Sequence, residues 1–126
     1  MKIVLQGEIH SSKNSRRIFR NSKTGAPFVT KSKQAKEDES MLALQLSAQR
    51  STWFQMAEGV PYPLLVRFRF RRETKRPFDY VNMVQGILDS MVKVGYMPDD
   101  NMNYVIPSFS PYILDKENPG CDIEVL

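Results

Sequence analysis

The sequence predicts one α/β domain of the α+β type spanning residues 1–126, with a mixed sheet of about four to five strands carrying two main helices. Three observations carry this. Leu64 to Arg72 alternates strictly, with Val66, Phe68 and Phe70 to one side and Arg67, Arg69 and Arg71 to the other, the period of a half-buried strand. Two stretches, 32–57 and 81–94, repeat their apolar residues at helical steps. Short apolar segments bounded by turn residues, Met1–Glu8, Met102–Pro107 and Asp122–Leu126, supply the remaining strands. A chain of this length makes one domain with a modest core.

In order along the chain, Met1–Glu8 opens as a strand, with Ile3 and Leu5 on one side and Val4 on the other. Ser11 to Lys23 is polar and basic, holding Lys13, Arg16, Arg17, Arg20 and Lys23. Asn21 to Gly25 has turn composition, and Ile18-Phe19 and Phe28-Val29 suit the arms of a hairpin across it. That hairpin reads equally as a phosphate-gripping arm or as a solvated basic loop. Ser32 to Ala57 carries the longest helical pattern, with Met41, Leu44 and Ala48 as its apolar stripe and Leu42 and Leu46 alongside. Asp38 and Glu39 read as a solvated face. Trp53 and Phe54 suit packing in a core or an interface, and with Met56 they are the candidates for an assembly surface.

Glu58-Gly59 ends this helix, and Pro61 and Pro63 frame the loop before Leu64. On the strand that follows, Arg67 reads as solvent-facing or paired with an acid on a covering helix. Arg71, Arg72, Lys75 and Arg76 form a cluster suited to tracking a phosphate backbone. In the second helix Val81, Val84, Leu88 and Met91 are expected on the apolar face, and Asp79, Asn82, Gly86, Asp89 and Lys93 on the opposite one. Pro77 precedes it and Gly95 follows it, as helix limits do. Pro107 to Gly120 reads as a loop rich in Pro, Ser and Asn.

Composition narrows the chemistry. No apolar run approaches the roughly 20 residues that span a bilayer, and the opening MKIVLQGEIH breaks at Gln6 and Glu8, so neither a membrane span nor a signal peptide is expected and the cytoplasm is the expected compartment. Cys121 is the one cysteine and His10 the one histidine. This excludes an intramolecular disulfide and a cysteine-based zinc cluster, and neither a His-metal site nor Ser-His-Asp or Cys-His chemistry is expected. Carboxylates, Lys, Arg and hydroxyl groups remain. The formal net charge of +4 favours nucleic acid over an acidic small molecule as a partner.

Acids flank the second helix: Asp79 just ahead, Asp99-Asp100 shortly after. A turn that folds back would gather them, and gathered carboxylates need a cation. Mg²⁺ suits one or two carboxylates, several waters and a phosphate. Each acid also has a plain structural use. Asp79 is a good N-cap with Asn82 at N3, Asp99-Asp100 is a polar turn after Pro98, and Asp89 suits an ion pair with Lys93 or with an arginine elsewhere.

The run Arg76–Asn101, RPFDYVNMVQGILDSMVKVGYMPDDN, resembles the core of the RusA-like family of Holliday-junction resolvases. That core runs D-x-D-N-x-x-K, D-A-L, a Gly-aromatic pair, then D-D. Asp79, Asn82, Asp89, Gly95, Tyr96, Asp99 and Asp100 fall in its register without a gap. The Ser12-Lys13-Asn14 turn, the basic residues after it, the Phe28-Val29-Thr30 strand and the long helix are also similar. Two positions depart: the family's second acid is Val81 here, and its lysine is Gln85.

The resemblance implies a RusA-like fold and metal-dependent hydrolysis of phosphodiesters in branched DNA by a homodimer. It implies Asp79 and Asp100 as catalytic residues, and Asp79, Asp99 and Asp100 as ligands of Mg²⁺ or Mn²⁺. Asn82 and Gln85 would support the site. Lys13, Asn14, Arg16, Arg17, Arg71, Arg72, Lys75 and Arg76 would bind DNA. Val81 and Gln85 point to the alternative, a catalytically impaired protein that binds junction or duplex DNA. A third reading makes the long helix an assembly element with no DNA role.

Overall fold

The computed structural model describes residues 1–11, 16–20, 27–31 and 33–126. Its centre is strand β4 (Leu64–Arg72), whose limits coincide with those expected from alternation. Val66, Phe68 and Phe70 are fully buried, while the intervening arginines are partly exposed. Five strands make one mixed sheet. β1 (Ile3–Gln6) pairs antiparallel with β7 (Gly120–Val125), and β7 pairs antiparallel with β4. β5 (Val105–Phe109) and the short β6 (Ile113–Leu114) lie parallel to successive parts of β4. Pairing within the expected 107–120 loop was not foreseen: β5 runs two residues further than expected, and β6 continues along β4 beyond it. A separate hairpin joins β2 (Arg16–Arg20) to β3 (Pro27–Lys31), the two expected arms, with Ile18 opposite Val29 and Phe19 opposite Phe28.

Three helices accompany the sheet. The stretch expected as one helix over 32–57 is α1 (Lys33–Ala48) followed by α2 (Arg50–Ala57); Ser32 itself lies outside the described residues. The break falls at Gln49, whose N–H bonds the Leu46 carbonyl in a tighter turn. The Gln49 side chain turns to β1 instead. Its Oε1 accepts from Val4 N at 2.9 Å, and its Nε2 donates to Val4 O at 2.9 Å. One helical turn earlier, Gln45 does the same to Gln6, at 2.7 and 3.1 Å. Four residues of helix rise about 6 Å and two residues of strand about 6.6 Å, so the two amides match alternate β1 residues.

The apolar stripe of α1 differs from the expected one. Ala35 and Leu46 are buried and Leu42 half-buried, whereas Met41 and Leu44 are 54% and 65% exposed and Ala48 is also exposed. Leu46 continues through the Gln49 turn to Trp53, and these side chains set the face that meets the core. Trp53 is fully buried, stacked on Tyr96 with ring centroids 4.9 Å apart, so it is no exposed assembly candidate. Phe54 remains 47% exposed.

Helix α3 (Tyr80–Lys93) crosses over from β4 to β5. Met83, Val84, Ile87, Leu88 and Met91 pack into the core with Ile3, Leu5, Phe68, Phe70 and Ile123. Each such side chain contributes roughly 1.5–3 kcal/mol by leaving water. Val81 is not among them; it is 64% exposed. Tyr80 takes the sheet side of the first turn, its ring 6.1 Å from Phe70 and 5.3 Å from Phe109, and Val81, the next residue round the helix, faces away.

Candidate functional site

Asp79 caps α3, as its sequence context predicts. Its Oδ1 accepts from the N–H groups of Val81 (2.9 Å) and Asn82 (3.4 Å), satisfying donors that the first turn leaves over. Its Oδ2 has no hydrogen-bond partner among the described residues. The carboxylate is exposed at the carboxyl end of β4, where open sheets with crossover helices place their ligands. Beside it lies a cleft of about 670 Å³ lined also by Glu8, His10, Arg72, Arg76 and Asn82.

The far end of α3 turns back. Gly95 has φ +86°, a left-handed conformation that glycine takes without strain, and here it ends the helix. Gly95 N bonds Val92 O at 3.1 Å and Tyr96 N bonds Met91 O at 2.9 Å, the paired bonds of a Schellman turn. Tyr96 is buried beyond it, its hydroxyl donating to Leu46 O at 2.6 Å while Trp53 Nε1 donates to Tyr96 O at 2.9 Å. These bonds anchor the segment that returns Asp99 and Asp100 to the exposed side of α3. There Gln85 Nε2 donates to Asp89 Oδ1 at 3.0 Å and to Asp100 Oδ2 at 3.4 Å. Asp99 is used within its own turn: Oδ1 accepts from Asp100 N (2.8 Å) and Oδ2 from Asn101 Nδ2 (3.0 Å).

The expected Asp89–Lys93 pair does not form. Lys93 donates to Glu39 of α1 at 2.6 Å, and this bond is the chief reason its pKa is raised. Glu39, Asp89, Asp99, Asp100 and Lys93 line a recess of about 290 Å³. Asp79 and the Asp99-Asp100 pair therefore line different recesses along one helix. Among the described residues no three His, Cys, Asp or Glu side chains stand together as a ready metal cage.

The basic cluster divides. Arg71 is turned inward: it donates to Leu5 O at 2.8 Å and to Asn118 O, and pairs with Asp122 at 3.3 Å. Arg72 pairs with Glu8 at 2.9 Å, and its guanidinium lies 4.6 Å from the Phe78 ring centroid. Lys75 and Arg76 are exposed. Arg67 does pair with an acid, Glu124 at 3.1 Å, but on the neighbouring strand β7 and not on a covering helix. Lys13 and Asn14 lie outside the described residues. Arg16 and Arg17 stand opposite Lys31 and Thr30 on the hairpin, and only their backbone is described.

No protein-family model matches the chain, and no curated protein matches it.

Two members of the Asp79 cleft escaped sequence reasoning. Glu8 and His10 follow β1, some 70 residues from Asp79, and nothing local announces that Glu8 meets Arg72. The one available signal was a lone acid at the end of an apolar strand.

Proposed function

We propose that this chain is a RusA-like, Holliday-junction resolvase-type endonuclease that hydrolyses phosphodiesters in branched DNA with a divalent cation. The observation that carries the reading is the 3.4 Å contact between Gln85 and Asp100. The chain after Gly95 folds back so that Asp100 meets α3 at the position where the family has its lysine, on the helix that Asp79 caps. With both oxygens of Asp99 engaged, the open donors are Asp79 Oδ2 and the second oxygen of Asp100. They line separate recesses along α3, so the cation would be held by one carboxylate with waters and a substrate phosphate, a donor set that suits Mg²⁺ or Mn²⁺. Bound there, the cation would polarise the phosphate and lower the pKa of an attacking water. Lys75 and Arg76, exposed beside the cleft, would hold the DNA backbone and offset the charge that develops on the phosphate. Opposite nicks in a four-way junction call for a two-fold dimer, for which the exposed Met41 and Leu44 of α1 and Phe54 of α2 provide apolar surface.

A second reading, binding of junction or duplex DNA without cleavage, is favoured by Val81 and Gln85. Val81 offers no ligand, and the Gln85 amide carries no charge while it bonds two carboxylates. Nicking of labelled junctions in Mg²⁺ or Mn²⁺ decides between them. For the nuclease, Asp79→Asn abolishes nicking, retains junction binding and keeps the fold, because Asn caps a helix about as well as Asp. Val81→Asp with Gln85→Lys then raises the rate. Nicking that survives Asp79→Asn would remove the assignment to this site; wild-type protein that binds but never nicks establishes the second reading.

A further inference from the structure

The Arg72–Glu8 pair sits under the Asp79 cleft, and its geometry differs from that of a surface charge awaiting phosphate. The Arg72 side chain is 11% exposed and that of Glu8 20%. Both Glu8 oxygens are used. Oε1 meets Arg72 Nη1 at 2.9 Å, and Oε2 accepts from the backbone N–H of Glu73 at 3.2 Å. The guanidinium covers the Phe78 ring at 4.6 Å, and its Nη2 reaches the Arg76 carbonyl at 3.5 Å. Arg72 Nε is buried without a partner. Phe78, immediately before Asp79, packs edge-on against Phe70, Tyr80 and Tyr112. One side chain thus joins the end of β1, the end of β4 and the segment that delivers Asp79.

We infer that Arg72 is a positioning residue: clamped by Glu8 and laid over Phe78, it sets where the Asp79 carboxylate stands, and it takes no DNA phosphate itself. This rests on the nuclease reading for its effect on rate, but not for its effect on geometry. A planar fork that bonds a carboxylate on one side and stacks on a ring is a task that Lys does not reproduce. A displacement of the reacting group by about 1 Å costs on the order of a hundredfold in rate, so small movements of this clamp register in turnover before they register in binding.

The test uses full-length wild type, Glu8→Gln, Arg72→Gln, Arg72→Lys, the charge swap Glu8→Arg/Arg72→Glu, and Arg76→Gln as the phosphate-contact reference. Nicking of a junction at saturating and limiting substrate separates kcat from KM, and junction affinity is followed from low to high salt. The Val81 and Asn82 amide resonances, whose N–H groups bond Asp79, report the cap directly whether or not the protein cleaves. Expected is a fall in kcat on the order of a hundredfold for Arg72→Gln and Arg72→Lys, with KM and salt slope unchanged. The Val81 and Asn82 amides shift in both and in Glu8→Gln, and the swap recovers part of the rate and returns the resonances toward wild type. Arg76→Gln instead lowers the salt slope by about 1. The inference is overturned if Arg72→Gln lowers affinity and slope as Arg76→Gln does, or if the two amides stay in place in folded Arg72→Gln. Failure of the nuclease reading looks different: wild type does not nick, yet the amides still move with Arg72 and return with the swap.

Discussion

Tyr96 shows how much one returning segment depends on a single side chain. Its ring stacks on Trp53, its hydroxyl bonds Leu46 O, and burial pushes its pKa up to about 12 despite the opposing pull of Arg50. The unfolded chain loses the same proton near 10. Between these values the folded form holds more protons than the unfolded form, so this stability is complete below about pH 10 and declines as pH rises toward about 12. Denaturant melts from pH 8 to 12 should show a shallower decline in Tyr96→Phe than in wild type. At neutral pH the variant should be less stable by about 1 kcal/mol, the usual worth of one such hydrogen bond. Val81 and Gln85 belong to this scale too. Both are neutral; Val81 is exposed, and the Gln85 amide bonds the Asp89 and Asp100 carboxylates.

At the scale of elements, Gly120 joins the two strands that flank the clamp. A Cβ there would stand 1.9 Å from Leu5 O and 2.7 Å from Arg71 Nη2. Gly120→Ala must therefore part β1 from β7 and shift the Arg71 guanidinium, and it should cost about 3 kcal/mol or more, read as a lowered denaturation midpoint with loss of amide protection at Leu5. Much of this layer was legible in sequence. Strict alternation placed β4 to the residue because one face is core and the other is wet. The flanking Asp79 and Gly95 placed α3 because capping chemistry is local. What failed was long-range. Met41, Leu44 and Ala48 have helical spacing, yet Ala35, Leu42 and Leu46 face the core, and both sets satisfy the same period. Arg71 and Arg72 looked like free cations because Asp122 and Glu8, their partners, are some 50 and 64 residues away. The fold-back of Asp100 onto α3 was a condition that sequence could pose and only the Schellman turn could meet.

At the scale of the molecule, exposed positive charge among the described residues is narrower than their composition suggests. Asp122, Glu124, Glu8 and Glu39 occupy Lys2, Arg67, Arg71, Arg72 and Lys93. Among the described residues, Lys75 and Arg76 are the exposed cations beside the Asp79 cleft. Removing both, as Lys75→Gln/Arg76→Gln, should weaken binding to all DNA sequences alike and reduce the salt slope by about 2; an unchanged slope would assign them to ordinary surface. Dimer formation through α1 predicts that Leu44→Glu yields monomers by sedimentation while the melting temperature of the subunit is kept. A wild type that sediments as a monomer at micromolar concentration, with and without junction DNA, would count against resolution of two strands.

The amides of Gln45 and Gln49 have a consequence for solubility. By offering β1 the donors and acceptors of an absent neighbour, they act as a counterfeit strand and leave Val4 and Gln6 nothing to recruit. On the opposite margin Tyr104 and Ser110 bond inward to β4, so the two-residue period turns Pro107 outward, where its missing N–H blunts templating. One margin of the sheet is thus covered and the other interrupted, by two unrelated devices. Gln45→Ala/Gln49→Ala should unmask the β1 margin: about 2–6 kcal/mol of stability lost for four hydrogen bonds, and light scattering that grows with protein concentration at temperatures where wild type stays clear.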